Sequence, residues 1–583
     1  MQWTLDQKNA IDARNSSVIV SAAAGSGKTA VLTERLVQLI ADTESGVRAD
    51  RMVIVTFTND SASELKKRLD KKIRDLISEN PDNTHLAKQQ ILLQNARIST
   101  INSFCFELIR DNISEQGITS GFGILDETED KILKAQAMDE LIEFYSENER
   151  DKLSFMYDNF CIKGIRRLTD VIAETDRFLS SVSFRDKWLD TAVDEYKKDF
   201  TQSVYYSIFL KKCTQKLEKS LAMAEECFDM AEDMFYGNSE DKQCMKTIEQ
   251  SSKECKLIKN LYKIFLSGRL PNETEIKNIK FGKLVSVGKS EYDEIIRERF
   301  KTNRDIYKAI VKEVLQLNDK TDYYYRLSAK VTEILAEMVK KYQSIVWEKK
   351  CSKNSISFDD GERLALELLT ETDENGCIIQ SETAKKTAEF YDIIMIDEYQ
   401  DSNNKQDMIF KLISKNYRID ENGNYLYGDN VFLVGDVKQS IYRFRLANPK
   451  NFIATLKNSE KYTSESNYPN KSIFLNKNFR SSPEVIDFIN YVFGNIMSEK
   501  CGDIDYDEDE MLYFGARAYS GGRDLNRLTH ISFINDQNND NDENEKKSSI
   551  VLKSDIKEKP NPEAVFTAQK IYKMLHDGTE VIL

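Results

Sequence analysis

A run of small residues between an apolar strand and an amphipathic helix constrains this chain more than any other feature. Val18-Ile19-Val20 reads as a short buried strand; Ala22, Ala23, Ala24, Gly25, Ser26, Gly27, Lys28 and Thr29 follow; and Val31, Leu32, Leu36, Leu39 and Ile40 then repeat at helical spacing. Side chains this small let successive backbone N–H groups turn toward one point, and the N-terminus of the next helix adds a dipole that favours negative charge. Such a loop suits phosphates, with Lys28 reaching the outer phosphates of a nucleoside triphosphate and the Thr29 hydroxyl reaching its Mg²⁺. The usual pattern begins with glycine where this chain has Ala22. A plain small-residue turn is therefore the competing reading, and the segments downstream decide between them.

Two further strand-like runs end in polar and aromatic residues, Met52 to Asn59 and Ala96 to Phe104. Ligands of open α/β sheets sit at the C-terminal ends of strands, which makes those ends candidate binding segments. Phe57 and Phe104 are read equally well as core packing or as base-stacking rings. A third run, Tyr391 to Ile396, has the continuous apolar character of a buried parallel strand and ends in Asp397-Glu398. Paired acids there serve phosphate chemistry: Asp397 can hold Mg²⁺, and Glu398 can orient and deprotonate an attacking water. Val431 to Val434 leads into Gly435-Asp436-Val437-Lys438-Gln439-Ser440-Ile441-Tyr442-Arg443-Phe444-Arg445, where Gln439 can read a γ-phosphate while Tyr442 and Phe444 stack bases or pack on the core. Arg480 precedes a helix that begins near Pro483, where a second lobe can offer a guanidinium to the nucleotide.

Between about Asp126 and Lys350 the pattern is that of long charged helices, with no constellation of chemistry-bearing residues. Chain length implies several domains, since 583 residues exceed what one core serves. A net charge of −14 excludes a protein that holds nucleic acid mainly through a broad basic surface, so any such contact is local. The stretch Lys66-Lys67-Arg68 with Lys71, Lys72 and Arg74 is a local candidate, or simply the wet face of a helix. Nine scattered cysteines without a C-x-x-C pair read as reduced structural thiols. Neither an apolar run of membrane-crossing length nor a secretory pattern is present, and the expected compartment is the cytoplasm.

Six blocks carry a resemblance to the UvrD/Rep-like superfamily 1 helicases: Ala22 to Thr29, Val55 to Asn59, Ser99 to Cys105, Ile396 to Asp401, Val434 to Arg445, and Asn478 to Ser481. Within that group the chain is most similar to AddA-type subunits of bacterial helicase-nucleases, with RecB-type subunits next. The resemblance implies an α/β fold of the P-loop NTPase kind: a RecA-like parallel sheet, a large helical insertion and the start of a second RecA-like lobe. It implies a 3′–5′ motor on single-stranded DNA, using ATP and Mg²⁺, that processes double-strand DNA ends for recombinational repair beside an AddB-like subunit. It further assigns adenine recognition to Gln7, an arginine finger to Arg480, and single-stranded DNA to Phe57, Thr58, Asn59, Ser103, Phe104, Tyr442 and Phe444.

The expected division is a first lobe over 1–120 and 353–458, the helical insertion over 121–352, and a second lobe begun at 459–583. Leu528 to Phe533 reads as a strand, Asn535 to Ser549 as a flexible loop, Glu563 to Leu575 as an amphipathic helix, and Val581-Ile582-Leu583 as a strand cut at its start. Asn102 stands where the family commonly has histidine, and Asp60-Ser61 where it has alanine-rich sequence; both changes weaken the expected grip on DNA. No block with a second arginine and no nuclease carboxylate cluster follows Arg480, so the expectation is an N-terminal portion that binds ATP better than it hydrolyses it. The alternatives are an ATP-binding scaffold subunit without motor activity and an unrelated P-loop ATPase or kinase.

Overall fold

The computed structural model describes residues 2–516 apart from 113–117, 162–164, 236–241, 283–290, 319, 375–376, 422, 444–445, 464 and 467, and beyond these only 567–569 and 572. The segments read from the sequence at Leu528–Phe533, Asn535–Ser549 and Val581–Leu583, most of Glu563–Leu575, and Phe444 lie outside the described residues. The chain divides into two compact units, Met1–Ala22 with Lys28–Leu475 and Ala23–Gly27 with Asn476–Leu583.

The first unit is organised by a seven-stranded sheet. Its strands are β1 (Ser17–Ala22), β2 (Met52–Thr56), β3 (Arg97–Thr100), β4 (Ile393–Ile396), β5 (Val431–Gly435), β6 (Glu460–Lys461) and β7 (Asn470–Leu475), in the spatial order β6-β7-β1-β5-β4-β2-β3. Every neighbouring pair is parallel. Strand residues point alternately to opposite faces, and both faces are covered. Ile19, Val53, Val55, Val431 and Leu433 enter one core, while Val18, Val20, Met52, Ile54, Phe432 and Val434 enter the other. Burial on both sides explains why these strands read as unbroken apolar runs.

β7 corrects one sequence expectation, which placed everything after residue 458 in a second lobe. It pairs with β1 along six residues, from Ser17 opposite Asn470 to Ala22 opposite Leu475. Ile473 and Leu475 share a core with Val18, Val20 and Ala22, and that burial holds the strand in the first sheet.

Long helices fill the chain between β3 and β4 and form two separate packs. Glu127–Asn148, Ile165–Leu179, Arg185–Lys197 and Thr321–Ser352 enclose one apolar core. Val204–Phe235, Lys242–Leu266 and Glu291–Val314 enclose another. The Thr321–Ser352 helix buries Ile334, Met338, Val339, Tyr342, Ile345 and Val346, a stripe at the three-and-four spacing of one helix face. Inside the second pack Glu254 is fully enclosed by donors: Arg304 Nε at 2.9 Å and Nη2 at 2.6 Å, the Tyr307 hydroxyl at 2.6 Å and Gln250 Nε2 at 2.8 Å. Among the described residues no helix is long and apolar enough to cross a membrane.

In the second unit, Lys477–Asn478 pairs in parallel with Tyr513–Phe514, and the helix Pro483–Ile496 buries Ile486 against Leu512 and Ala23.

Candidate active site

The helix Lys28–Ala41 begins directly after the small-residue loop, so Lys28 occupies its first turn. Its ammonium lies 3.1 Å from Asp397 Oδ1 and also donates to Glu398 Oε1. Both acids follow the C-terminal end of β4, where the Asp397 N–H is held on Val55 O of β2 at 2.9 Å. The electrostatics are those of a cation between two carboxylates. Burial pulls the Lys28 ammonium down, but Asp397 and Glu398 outweigh it and leave its pKa raised. Burial, reinforced by Glu398, lifts Asp397 above the usual carboxylate range despite Lys28. Glu398 is less enclosed: burial pushes it up, Lys28 pulls it further down, and the net shift is downward.

Glu398 has left-handed backbone angles, φ +54° and ψ +42°, a conformation that costs a residue with a Cβ roughly 1–2 kcal/mol. The next residue anchors it. Tyr399 is completely buried, and its hydroxyl and that of Tyr427 both donate to Asp407. Gln400, also buried, donates from Nε2 to Glu398 Oε2 at 3.0 Å and to Asp401 Oδ2 at 3.2 Å. Its Oε1 accepts the Asp436 N–H at 3.0 Å. Asp436 in turn accepts from Gln439 Nε2 at 2.9 Å and pairs with Lys438 Nζ at 2.9 Å. Burial and the Glu398 charge push Asp401 up to about 6.

The loop itself lies in the second unit. Gly25 and Gly27 have φ of +74° and +81°, values that only glycine adopts without strain, and the Ser26 N–H donates to Ala23 O at 3.1 Å. Asn478 Nδ2 donates to Ala24 O at 2.9 Å and the Phe479 N–H to Gly25 O at 2.8 Å. A Cβ on Gly25 would come within 2.9 Å of Asn478 Oδ1. That same Oδ1 accepts the N–H groups of Arg480 and Ser481, each at 2.8 Å.

Other residues singled out in the sequence fall into distinct surroundings. Gln7 is buried in a capping box, its Oε1 accepting the Thr4 N–H at 3.0 Å. Thr29 is exposed at the helix start. Phe57, Thr58 and Asn59 are exposed at the end of β2, and the Phe57 ring lies 4.6 Å from that of Tyr442 at 30°. Ser103 bonds to the Thr100 hydroxyl at 3.0 Å. Phe104 is a correction: it is 0% exposed, packed on Phe410 and Tyr391 in the core, so its ring cannot receive a base. The basic stretch after Asn59 is the outer face of the helix Asn59–Glu79, where Arg68 and Arg74 pair with Glu64 and Asp70 one turn earlier.

Sequence reading gave no role to Gln400, Asp436 or Asn478. A usable signal was present in each case: a glutamine directly after the tyrosine of the acidic turn, an acid directly after Gly435 at the end of an apolar run, and an asparagine two residues before Arg480.

Residues 3–460 match the UvrD/REP helicase N-terminal domain. The chain is 34% identical over 540 residues to the A subunit of the ATP-dependent helicase/nuclease of Acetivibrio thermocellus, covering 88% of this chain and 41% of that protein. The corresponding protein of Thermoanaerobacter pseudethanolicus is 34% identical over 537 residues, with the same coverage. That of Clostridioides difficile is 33% identical over 542 residues, covering 88% and 40%. This chain thus spans about two fifths of the length of the relatives it matches. With the acid pair, the lysine and the parallel sheet in place, and the domain match covering most of its length, the chain belongs to the UvrD/REP helicase family.

Proposed function

We propose that this chain is the ATP-binding part of a 3′–5′ DNA translocase, within an AddA-type helicase-nuclease subunit that works on double-strand DNA ends in recombinational repair. The observation that carries the reading is Lys28 held between Asp397 and Glu398. Lys28 offsets part of the charge of the two acids, and a Mg²⁺–phosphate pair can take its place: the dication would compensate Asp397, the phosphate would take over the ammonium, and Glu398 would be left free to act as a base. The donor set also fits Mg²⁺: the Asp397 carboxylate and Thr29 hydroxyl are hard oxygen donors, and the ion ordinarily takes its other ligands from phosphate and water. Bound Mg²⁺ would supply charge neutralisation at the phosphates.

In this reading the loop Ala22 to Thr29 binds the phosphates, and Gln7 the adenine. Lys28 releases the acids and holds the outer phosphates. Glu398, anchored by its neighbours in a strained turn, orients the attacking water and accepts its proton. Gln439 senses the γ-phosphate and Arg480 offers positive charge to it. Single-stranded DNA lies over Phe57, Thr58, Asn59, Ser103 and Tyr442. Residues 1–120 and 353–475 form the first lobe, 121–352 the helical insertion, and 476 onward belongs to the second lobe. The partner is an AddB-like subunit, and the compartment is the cytoplasm.

The test is ATP binding and ATP hydrolysis with and without single-stranded DNA, on this chain and on its Lys28→Ala and Glu398→Gln variants. The expected pattern is nucleotide binding that Lys28→Ala weakens and Glu398→Gln preserves, with any DNA-stimulated turnover lost in both. Nucleotide binding that is indifferent to Lys28 would refute the reading.

A further inference from the structure

We propose that Gln400 is the positioning residue that couples the nucleotide end of this site to its DNA end. The proposal rests on the functional reading above and adds a physical link that reading lacks. One side-chain amide joins two chain segments, the turn after β4 and the segment after β5, through three hydrogen bonds.

The orientation of that amide is forced. Its nitrogen faces two carboxylates, Glu398 and Asp401, and its oxygen faces a backbone N–H, that of Asp436; turned over, the oxygen would oppose two acids and the nitrogen another donor. Gln400 is 1% exposed, so its three bonds are shielded from competing water. The space is cut to fit: a Cβ on Gly435 would collide with Gln400 Oε1. Glycine at the end of β5 is therefore what lets the amide reach the next N–H.

On the far side of that bond, the Asp436 carboxylate holds Gln439, and Tyr442 follows three residues later against Phe57. On the near side, Glu398 is shared between Lys28 and Gln400. When Lys28 moves to a phosphate, Glu398 loses its cation and Gln400 remains its donor. Any shift of the Glu398 carboxylate is then passed to the Asp436 backbone, and from there to the segment carrying Gln439 and Tyr442. Buried amide-to-carboxylate bonds transmit such a shift because breaking one strands a buried polar group.

The experiment measures the affinity of the 583-residue chain for fluorescein-labelled oligothymidylate, with and without the non-hydrolysable ATP analogue adenylyl-imidodiphosphate and Mg²⁺. It is repeated for Gln400→Met, which matches the volume and removes all three bonds. Gln400→Glu, which keeps the acceptor for Asp436 and loses the donor to the acids, is the second variant. Thermal unfolding and direct analogue binding are recorded for each. The unsubstituted chain is expected to change its DNA affinity by about 5-fold or more when the analogue binds, the lower range of ordinary coupling between sites. Gln400→Met should bind DNA alone and analogue alone within about 3-fold of the parent, yet lose most of that change. A merely structural role would move both affinities together and leave their ratio intact. If Gln400→Met fails to fold, Gln400→Glu carries the test and should show the same lost ratio.

A parental ratio retained in the folded variants overturns the proposal. So does a parent that binds both ligands without coupling, and that outcome leaves the functional reading standing. A parent that binds no analogue removes the functional reading itself.

Discussion

Lys28 Nζ lies 3.1 Å from Asp397 Oδ1, a pairing that joins the first turn of the helix after β1 to the end of a strand two places away in the sheet. Both groups are more than four-fifths enclosed, so each depends on the other for neutralisation. Lys28→Ala is expected to destabilise the nucleotide-free chain, and Asp397→Asn to restore part of the loss. A double-mutant cycle read by urea unfolding should give a coupling of about 1–3 kcal/mol. Additive effects would mean that the pair does not hold these elements together.

The exposed Phe57 ring and the half-buried Tyr442 ring lie against each other, and Phe104 does not belong to that pair. Phe57→Ala and Tyr442→Ala should each weaken oligothymidylate binding by about 1–3 kcal/mol, with the double variant less than the sum because each ring supports the other. Fluorescence anisotropy measures this directly.

Phe104→Ala should instead lower stability by about 3–5 kcal/mol through the cavity left in the core between Phe410 and Tyr391. The check is a chemical denaturation curve, and DNA affinity of the folded fraction should be unchanged.

Acid should loosen the helical pack around Glu254. Burial pushes this carboxyl up, but the bonds from Arg304, Tyr307 and Gln250 outweigh it, and its folded pKa lies below the ordinary value. A depressed folded pKa contributes stability that is present above the unfolded pKa of about 4.3, and that is lost as pH falls through the folded value. Hydrogen exchange over the helices Val204–Phe235, Lys242–Leu266 and Glu291–Val314 should therefore accelerate selectively below about pH 4. Arg304→Met, which leaves the Glu254 charge buried without its cation, should cost about 3–5 kcal/mol at neutral pH and remove that selective acid step.

Local sequence was enough for the small-residue loop before Lys28, the acid pair, the parallel strands and the helical middle. Each is written in a short-range pattern: small residues before Lys28, an apolar run ending in Asp397-Glu398, and helical spacing from Glu127 to Ser352. What sequence left open were matters of side and partner. Phe57 and Phe104 stand in similar strand-to-helix contexts, and only the packing of Phe410 and Tyr391 puts one ring in the core while the other stays in solvent. The strand Asn470–Leu475 carries no label of its sheet; its place beside Ser17–Ala22 follows from which apolar face was available to bury it. Gln400, Gly435 and Asp436 acquire their relationship only when two distant strand ends lie side by side, because a hydrogen bond depends on position in space and local pattern records only position along the chain.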